Sequence, residues 1–180
     1  MAQQYDSINN RHRDFIAQQK IFFVATAMAE GKINLSPKGM DTFKLVDANT
    51  VRWLNLTGSG NETAAHLLAN GRITIMFCAF EGSPMILRLY GQARSIHSRD
   101  DEWSSLIRQF PDLPGARQII DIKIDLVQTS CGMGVPLYQY ESDRDLLNQW
   151  AEKKQPEGIQ DYWLEKNQYS LDGKPTGISN

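Results

Sequence analysis

Residues 55–67 read NLTGSGNETAAHL. This stretch links a predicted strand, 51–55, to a short predicted helix through a turn rich in glycine, hydroxyl and amide side chains. The start of a helix leaves backbone N–H groups unpaired and carries partial positive charge, so it suits an anion, commonly a phosphate. Ser59 and Glu62 also fit a capping box, which would close the same helix end without a ligand. The turn alone supports phosphate binding and a capped turn about equally.

Within this turn, Gly58 and Gly60 would let the backbone approach a ligand closely. Side-chain hydrogen bonds could come from its hydroxyl and amide residues, Thr57, Ser59, Asn61 and Thr63.

Composition limits the classes of function. The chain has 180 residues and a formal net charge of -2, with no run of Lys and Arg along one face, which argues against a nucleic-acid partner. No apolar run approaches the length of a membrane span, and the first residues do not resemble a signal peptide. We therefore expect a soluble cytoplasmic protein. Two cysteines do not make a disulfide framework, and His12 and His97 lack partners at metal-ligand spacing, so no metal site is expected.

The pattern of apolar residues predicts a mainly β protein with peripheral helices, an α+β fold. Because the strands mostly follow one another without helical crossovers, the sheet should be largely antiparallel and close into a small barrel. The tail, 170–180, is expected to be loosely held. The predicted helices cover 7–19, the segment after the turn up to residue 70, a segment capped by residues 98–101 and reaching 110, 142–150 and 157–167; the predicted strands cover 21–27, 32–35, 42–46, 51–55, 72–80, 86–96 and 119–127.

A second informative segment, residues 31–39, reads GKINLSPKG. Asn34, Ser36 and Lys38 alternate along a strand end, so they could point the same way. Lys38 could offer a cation to a phosphate or to the electron-rich edge of a ring. In isolation, a solvated strand end followed by a Pro-Gly turn explains the segment better.

Taken together, separate motifs resemble the pyridoxamine-phosphate-oxidase-related FMN-binding family. They are GKINLSPKG at 31–39, WLNLTGSGNETAAHL at 53–67 and ILRLYGQAR at 86–94, in the right order and spacing over residues 12–130. The later SCGMGVP, 130–136, looks like the ending of one branch of that family. The resemblance implies a six- to seven-stranded antiparallel split β-barrel and a homodimer with FMN sites at its interface. It divides the chain into a flavin-binding barrel, 1–140, and a C-terminal helical extension, 141–180, packed on the barrel or on the partner subunit.

The resemblance also implies the cofactor-binding residues. The 32–38 strand end would run along the isoalloxazine ring, Leu56 and Thr57 would touch the flavin, and Arg88 lies in the strand that borders the ring. Cys131 could have a redox role, although a small residue in a crowded turn explains it more simply. The full set is Asn34, Leu35, Ser36, Lys38, Leu56, Thr57, Ser59, Asn61, Glu62, Thr63, Arg88 and Cys131; no catalytic residue is assigned.

The sequence departs from the family at the phosphate site. Oxidases of the family carry an Arg-Lys pair where this chain has Glu62 and Thr63. We expect Glu62 to turn away into the capping box, while Ser59, Asn61, Thr63 and backbone N–H groups hold the phosphate, with compensating charge from Lys38 or Arg88. The chain also lacks the Trp-Arg ending that holds pyridoxamine phosphate, which argues against vitamin B6 synthesis.

Three functions remain open from the sequence. The first is a flavin-dependent oxidoreductase of unknown substrate, in which the flavin supplies the chemistry. The second is a non-enzymatic binding protein for FMN, haem or another flat cofactor. The third is a cofactor-free dimeric barrel acting in protein interaction. His66, about one helical turn from Glu62, is expected in a local salt bridge or an exposed position.

Overall fold

The computed structural model describes residues 2–179, which form one curled antiparallel sheet with helices around it. The elements follow one another in this order: β1 Gln3–Tyr5, α1 Asn10–Gln18, β2 Phe22–Thr26, β3 Asn34–Lys38, β4 Phe43–Leu45, β5 Thr50–Leu56, α2 Glu62–Ala69, β6 Arg72–Cys78, β7 Ile86–Ile96, α3 Trp103–Leu106 with a 3-10 turn at Ile107–Gln109, β8 Ala116–Ser130 and α4 Leu146–Lys166.

The sheet has the strand order β3-β2-β6-β7-β8-β5-β4, and β1 pairs with β8 beside this path. Every neighbouring pair is antiparallel. The predicted mainly β, antiparallel split-barrel fold is therefore confirmed. All seven predicted strands are present; β1 was not predicted, because three residues of polar sequence carry no recognisable alternation.

Two apolar clusters hold the barrel together. The larger one fills the barrel around Trp53 and Phe77, both at most 2% exposed, and receives the apolar face of α1. The smaller one, around Leu54, Ile96 and Ile119, lies beneath α3. Burying one such side chain contributes about 1.5–3 kcal/mol, so these clusters supply much of the driving force for folding.

The structure corrects several predicted boundaries. Strand β3 runs on to Lys38 instead of ending at residue 35, because Pro37 lies on an edge strand where its missing N–H costs no ladder hydrogen bond. Strand β8 is longer at both ends than 119–127. Residues 98–101 do not cap a helix, since the Asp100 carboxylate accepts from the His97 N–H and α3 begins only at Trp103. The two predicted C-terminal helices meet at a break at Gln155, where φ is 58° before Pro156.

The expectation of a loosely held tail was wrong for the described residues. Thr176 and Ile178 are 1% and 9% exposed, and Tyr169 forms an antiparallel bridge with Pro175. Arg99 donates hydrogen bonds to the carbonyls of Gly177 (2.7 Å) and Ile178 (3.1 Å). The sequence concealed this docking because its partners lie far away along the chain. Asn180, the last residue of that expectation, lies outside the described residues.

In the part of the chain that the structure describes, no helix is both long and apolar enough to cross a membrane.

A bulge in the longest strand pair gives a test of this packing. The register of β7 and β8 shifts between Tyr90 and Gly91, and a Cβ added at Gly91 would collide with the Lys123 carbonyl oxygen. We predict that Gly91→Ala lowers the free energy of unfolding by about 1–3 kcal/mol in urea denaturation. Gly134→Ala is the matched control, because a Cβ there meets no atom within 4 Å. Equal stability of the two variants would contradict the described register.

Candidate functional site

A polar cavity of about 450 Å³ lies where the two informative segments meet. Its volume is within the range of about 300–1,000 Å³ that small-molecule sites occupy. We call it the polar cavity. Strand β3, the β5–α2 loop, the start of β8 and the segment after α4 form its walls. Eight of the twelve residues predicted from the sequence line it: Asn34, Ser36, Lys38, Leu56, Ser59, Asn61, Glu62 and Thr63.

Strand β3 supplies one wall through alternate residues. Asn34, Ser36 and Lys38 are half-buried and share a face, as the period of a strand requires. Leu35 points to the other face and is 64% exposed, so it does not join the cavity. The Asn34 amide donates to Thr63 Oγ1 at 3.2 Å, which ties β3 to the first turn of α2.

Lys38 extends along an aromatic surface. Its Nζ lies 4.9 Å from the centre of the Trp53 ring, within cation–π distance. Burial, and secondarily the charge of Arg117, lowers the pKa of Lys38 to about 8. The ammonium group therefore loses its proton more readily here than in water.

Thr57 has a structural role. Its hydroxyl donates to the Gly115 carbonyl at 2.8 Å and accepts from Trp163 Nε1 at 2.8 Å. The side chain is 2% exposed and does not line the cavity. It fixes the end of β5 and anchors α4 to the barrel.

The glycines of the loop face open space. A Cβ added at Gly58 would meet no atom within 4 Å, and one at Gly60 would make only ordinary contact with Glu62. Neither residue has a positive φ. Packing within the protein does not require glycine at these positions, whereas close approach of a ligand would.

The expected capping box does not form. Asn61 is the N-cap residue of α2 and makes no side-chain capping bond. Both oxygens of Glu62 instead accept from the Leu171 N–H at 3.1 Å. The expectation was wrong because the C-terminal segment, distant in sequence, takes the carboxylate that Ser59 was predicted to engage.

Buried hydrogen-bonding atoms at the cavity lack partners. Asn61 is 2% exposed, and neither its side-chain oxygen nor its nitrogen has a partner within residues 2–179. The same holds for Arg117 Nε. Buried polar atoms are normally paired, and each exception calls for an explanation such as a ligand.

Arg117 is the residue that sequence reasoning missed. It is 4% exposed, and its Nη1 donates to the Gly60 carbonyl (3.0 Å) and to Asn167 Oδ1 (2.7 Å). Burial lowers the pKa of Arg117 to about 9. The available signal was an arginine at the start of a run of buried apolar residues, IID at 119–121 being the continuation of its strand.

The segment after α4 closes the cavity and was not predicted to belong to it. Asn167 is fully buried; besides accepting from Arg117, its amide donates to the Gly58 carbonyl at 3.1 Å. Its own carbonyl accepts from the Thr176 hydroxyl at 2.5 Å. The remaining wall residues from this segment are Lys166, Tyr169, Ser170 and Leu171.

Two predicted residues lie elsewhere in the chain. Arg88, on β7, donates from Nη1 to Ser130 Oγ at 3.3 Å. Cys131 follows β8 as an exposed free thiol. The structure does not bring either side chain to the polar cavity within one chain.

His66 is not exposed, contrary to expectation. It is 1% exposed, and its Nδ1 lies 3.0 Å from Thr26 Oγ1. The prediction failed because α2 packs against β2, which turns this face of the helix inward. Over residues 2–179, no group of three His, Cys, Asp or Glu side chains could hold a metal ion.

A larger cavity of about 1010 Å³ adjoins the polar cavity. The two share Lys38, and the larger one has mainly apolar and aromatic walls that include Phe80, Tyr138 and Tyr140. Phe80 and Tyr138 pack with ring centres 5.5 Å apart. Lys38 therefore stands between a polar space and a larger apolar one.

Known proteins resemble this chain in sequence and in fold. The sequence profile described as pyridoxamine 5'-phosphate oxidase matches residues 8–131. Pyridoxamine 5'-phosphate oxidase family protein ustO of Aspergillus flavus is 36% identical over 189 residues, which cover 95% of this chain and 76% of that protein.

Solved structures share the fold at low sequence identity. HupZ of Group A Streptococcus superposes with a TM-score of 0.56 at 21% identity, over 68% of this chain and 99% of that one. The FAD binding protein of Mycobacterium smegmatis gives a TM-score of 0.50 at 12% identity, over 70% of this chain and 97% of that one. At these identities, the likeness concerns the fold alone.

The lowered pKa of Lys38 predicts a pH dependence of stability. In the unfolded chain this lysine titrates near the ordinary value of about 10.4. Between about pH 8 and about pH 10 the unfolded chain therefore binds more protons, and the contribution of Lys38 to stability rises with pH. Lys38→Met removes this titration, so its stability relative to wild type should be highest below about pH 8 and should fall toward about pH 10. Urea denaturation across this range measures the difference; a constant difference would contradict the burial of the ammonium group.

Proposed function

This chain belongs to the pyridoxamine 5'-phosphate oxidase family, which has a flavin-binding fold, and from that premise we propose that it is an FMN-dependent oxidoreductase. The FMN phosphate would lie in the polar cavity, at the start of α2. The flavin ring would run along β3 toward the larger cavity. The substrate class is addressed by that larger, apolar and aromatic space.

The observation that carries the proposal is the unpaired amide of Asn61. This side chain is 2% exposed, lies at the N-cap of α2 and has no hydrogen-bond partner in the described part of the chain. An uncapped helix start offers free backbone N–H groups and partial positive charge to an anion. A phosphate at this position would accept from the Asn61 amide and from the N–H groups of the loop, with Ser59 nearby.

The residues of β3 fit the rest of the cofactor. Asn34 and Ser36 present donors and acceptors to the cavity, as the polar edge of a flavin ring needs. Lys38 adds a cation at the junction of the two cavities. Bound flavin would supply hydride or electron transfer, while these side chains bind it, orient it and exclude water.

A homodimer and a cytoplasmic location form part of the same proposal. Large apolar side chains after Cys131 are strongly exposed, with Met133 at 81% and Leu137 at 75%. Such exposure is typical of surfaces that a partner covers. A second copy would also bring its own Arg88 and Cys131, which lie outside the polar cavity of one chain. The free thiols of Cys78 and Cys131 suit a reducing compartment.

A non-enzymatic role in holding a flavin, or another flat cofactor such as haem, is the second candidate. It is favoured by the closure of the polar cavity by Ser170 and Leu171, which would retain a ligand rather than exchange it. Reduction of the bound flavin by NADH or NADPH, followed by reoxidation with turnover, supports the enzyme. A flavin that stays bound and unreduced with both nucleotides supports the holding role.

We predict that Asn61→Asp prevents FMN retention. The new carboxylate would face the phosphate, so FMN affinity should fall at least about tenfold, whereas riboflavin, which has no phosphate, should bind as in wild type. Absorbance spectra after FMN addition and desalting, with fluorescence titrations of both flavins, measure this.

Asn10→Asp is the matched control for that charge, because Asn10 is exposed at the start of α1, away from the polar cavity. If Asn61→Asp and Asn10→Asp retain FMN equally well, the phosphate does not lie at the start of α2.

A further inference from the structure

Arg117 is a buried cation without an anionic partner. Its two hydrogen-bond acceptors, the Gly60 carbonyl and Asn167 Oδ1, are both neutral. None of the ion pairs found in residues 2–179 includes it. A buried charge is costly unless a counter-charge and hydrogen bonds compensate it. The fold therefore carries an unfavourable group that a bound anion would compensate.

The free donor of Arg117 is at the polar cavity. The side chain lines this space, and its Nε is buried without a hydrogen-bond partner. The unpaired Asn61 amide lines the same cavity. Two independent buried groups with unused hydrogen-bonding capacity thus lie around one space, which is the arrangement expected of a built anion site.

The other charged groups of the cavity also favour an anion. Lys38 and Lys166 contribute cations, and Glu62 is the carboxylate among the lining residues. Both Glu62 oxygens are engaged by the Leu171 N–H, and Lys166 pairs with the adjacent Glu165 at 2.7 Å. Arg117 and Lys38 are therefore left as cations without a carboxylate partner.

We propose that Arg117 binds the phosphate of the cofactor, in place of the Arg-Lys pair that related oxidases carry at the positions of Glu62 and Thr63, and that Asn167 positions its guanidinium. This inference rests on the proposed function. The planar guanidinium can bind a phosphate with two parallel hydrogen bonds, which a lysine cannot do. The C-terminal segment takes part twice, because Leu171 holds the Glu62 carboxylate and Asn167 holds the cation.

The competing explanation is that Arg117 only fastens the C-terminal segment to the barrel. Arg99 provides the matched control, since it also binds that segment through backbone carbonyls, those of Gly177 and Ile178, but does not line the polar cavity. A purely structural role would make the two arginines equivalent. A role in phosphate binding would make Arg117 alone discriminate FMN from riboflavin.

The experiment measures dissociation constants of FMN and riboflavin by flavin fluorescence for the full chain and its variants. We expect Arg117→Met to weaken FMN binding about ten- to hundredfold and to leave riboflavin binding unchanged. Arg117→Lys should restore part of the preference, and Asn167→Ala should lose part of it. Arg99→Met should keep the wild-type preference. An unchanged preference in Arg117→Met would overturn the inference.

A measurement on the wild-type protein covers the case in which Arg117→Met does not fold. A phosphate monoester in water gains a proton near about pH 6. A phosphate bound by Arg117 should remain dianionic well below that pH, so the ³¹P resonance of bound FMN should not shift as the pH is lowered through about 6. A resonance that titrates like free FMN would overturn the inference.

The two proposals fail in different ways. Wild-type protein that binds neither flavin contradicts the proposed function and the role of Arg117 together. Equal affinity for FMN and riboflavin contradicts the phosphate site and leaves flavin binding intact. A preference for FMN that survives in Arg117→Met contradicts the role of Arg117 alone.

Discussion

Strand β8 must find hydrogen-bond partners for fifteen residues along both of its edges, and the rest of the barrel follows from this requirement. One edge pairs with β7, and the other pairs with β5 and then with β1. The register with β5 sets Leu56 opposite Ala116 and Asn55 opposite Gln118. The start of β8 therefore lies beside the β5–α2 loop, and this register places Arg117 beneath Gly60.

The placement of Arg117 is difficult to explain by stability alone. An apolar side chain at this position would avoid the burial of a charge, and substitutions of that kind are often neutral or stabilising. The unpaired Asn61 amide adds a second local cost beside the same cavity. Proteins tolerate such conflicts mainly at functional sites, where a ligand supplies the missing partner. A phosphate resolves both conflicts at once, which is why a phosphate-bearing flavin fits the site better than an uncharged ligand.

The parts of the fold that could be predicted depend on local patterns. Alternation of apolar residues identified seven strands, and a turn rich in glycine and amides located the α2 wall of the cavity. The missed parts depend on contacts between distant residues. Nothing near Arg117 in the sequence shows that it reaches Gly60, and nothing near Asn167 shows that its side chain joins that arginine. The same reason explains the capping box that did not form, since its carboxylate is bound by Leu171.

A crystal structure of the protein with FMN tests the central claim most directly, because it locates the phosphate relative to the two unpaired groups. Our account predicts phosphate oxygens within about 3 Å of Arg117 Nε and of the Asn61 amide, with the flavin ring along β3. A phosphate bound elsewhere, with Arg117 and Asn61 still unpaired, would contradict it.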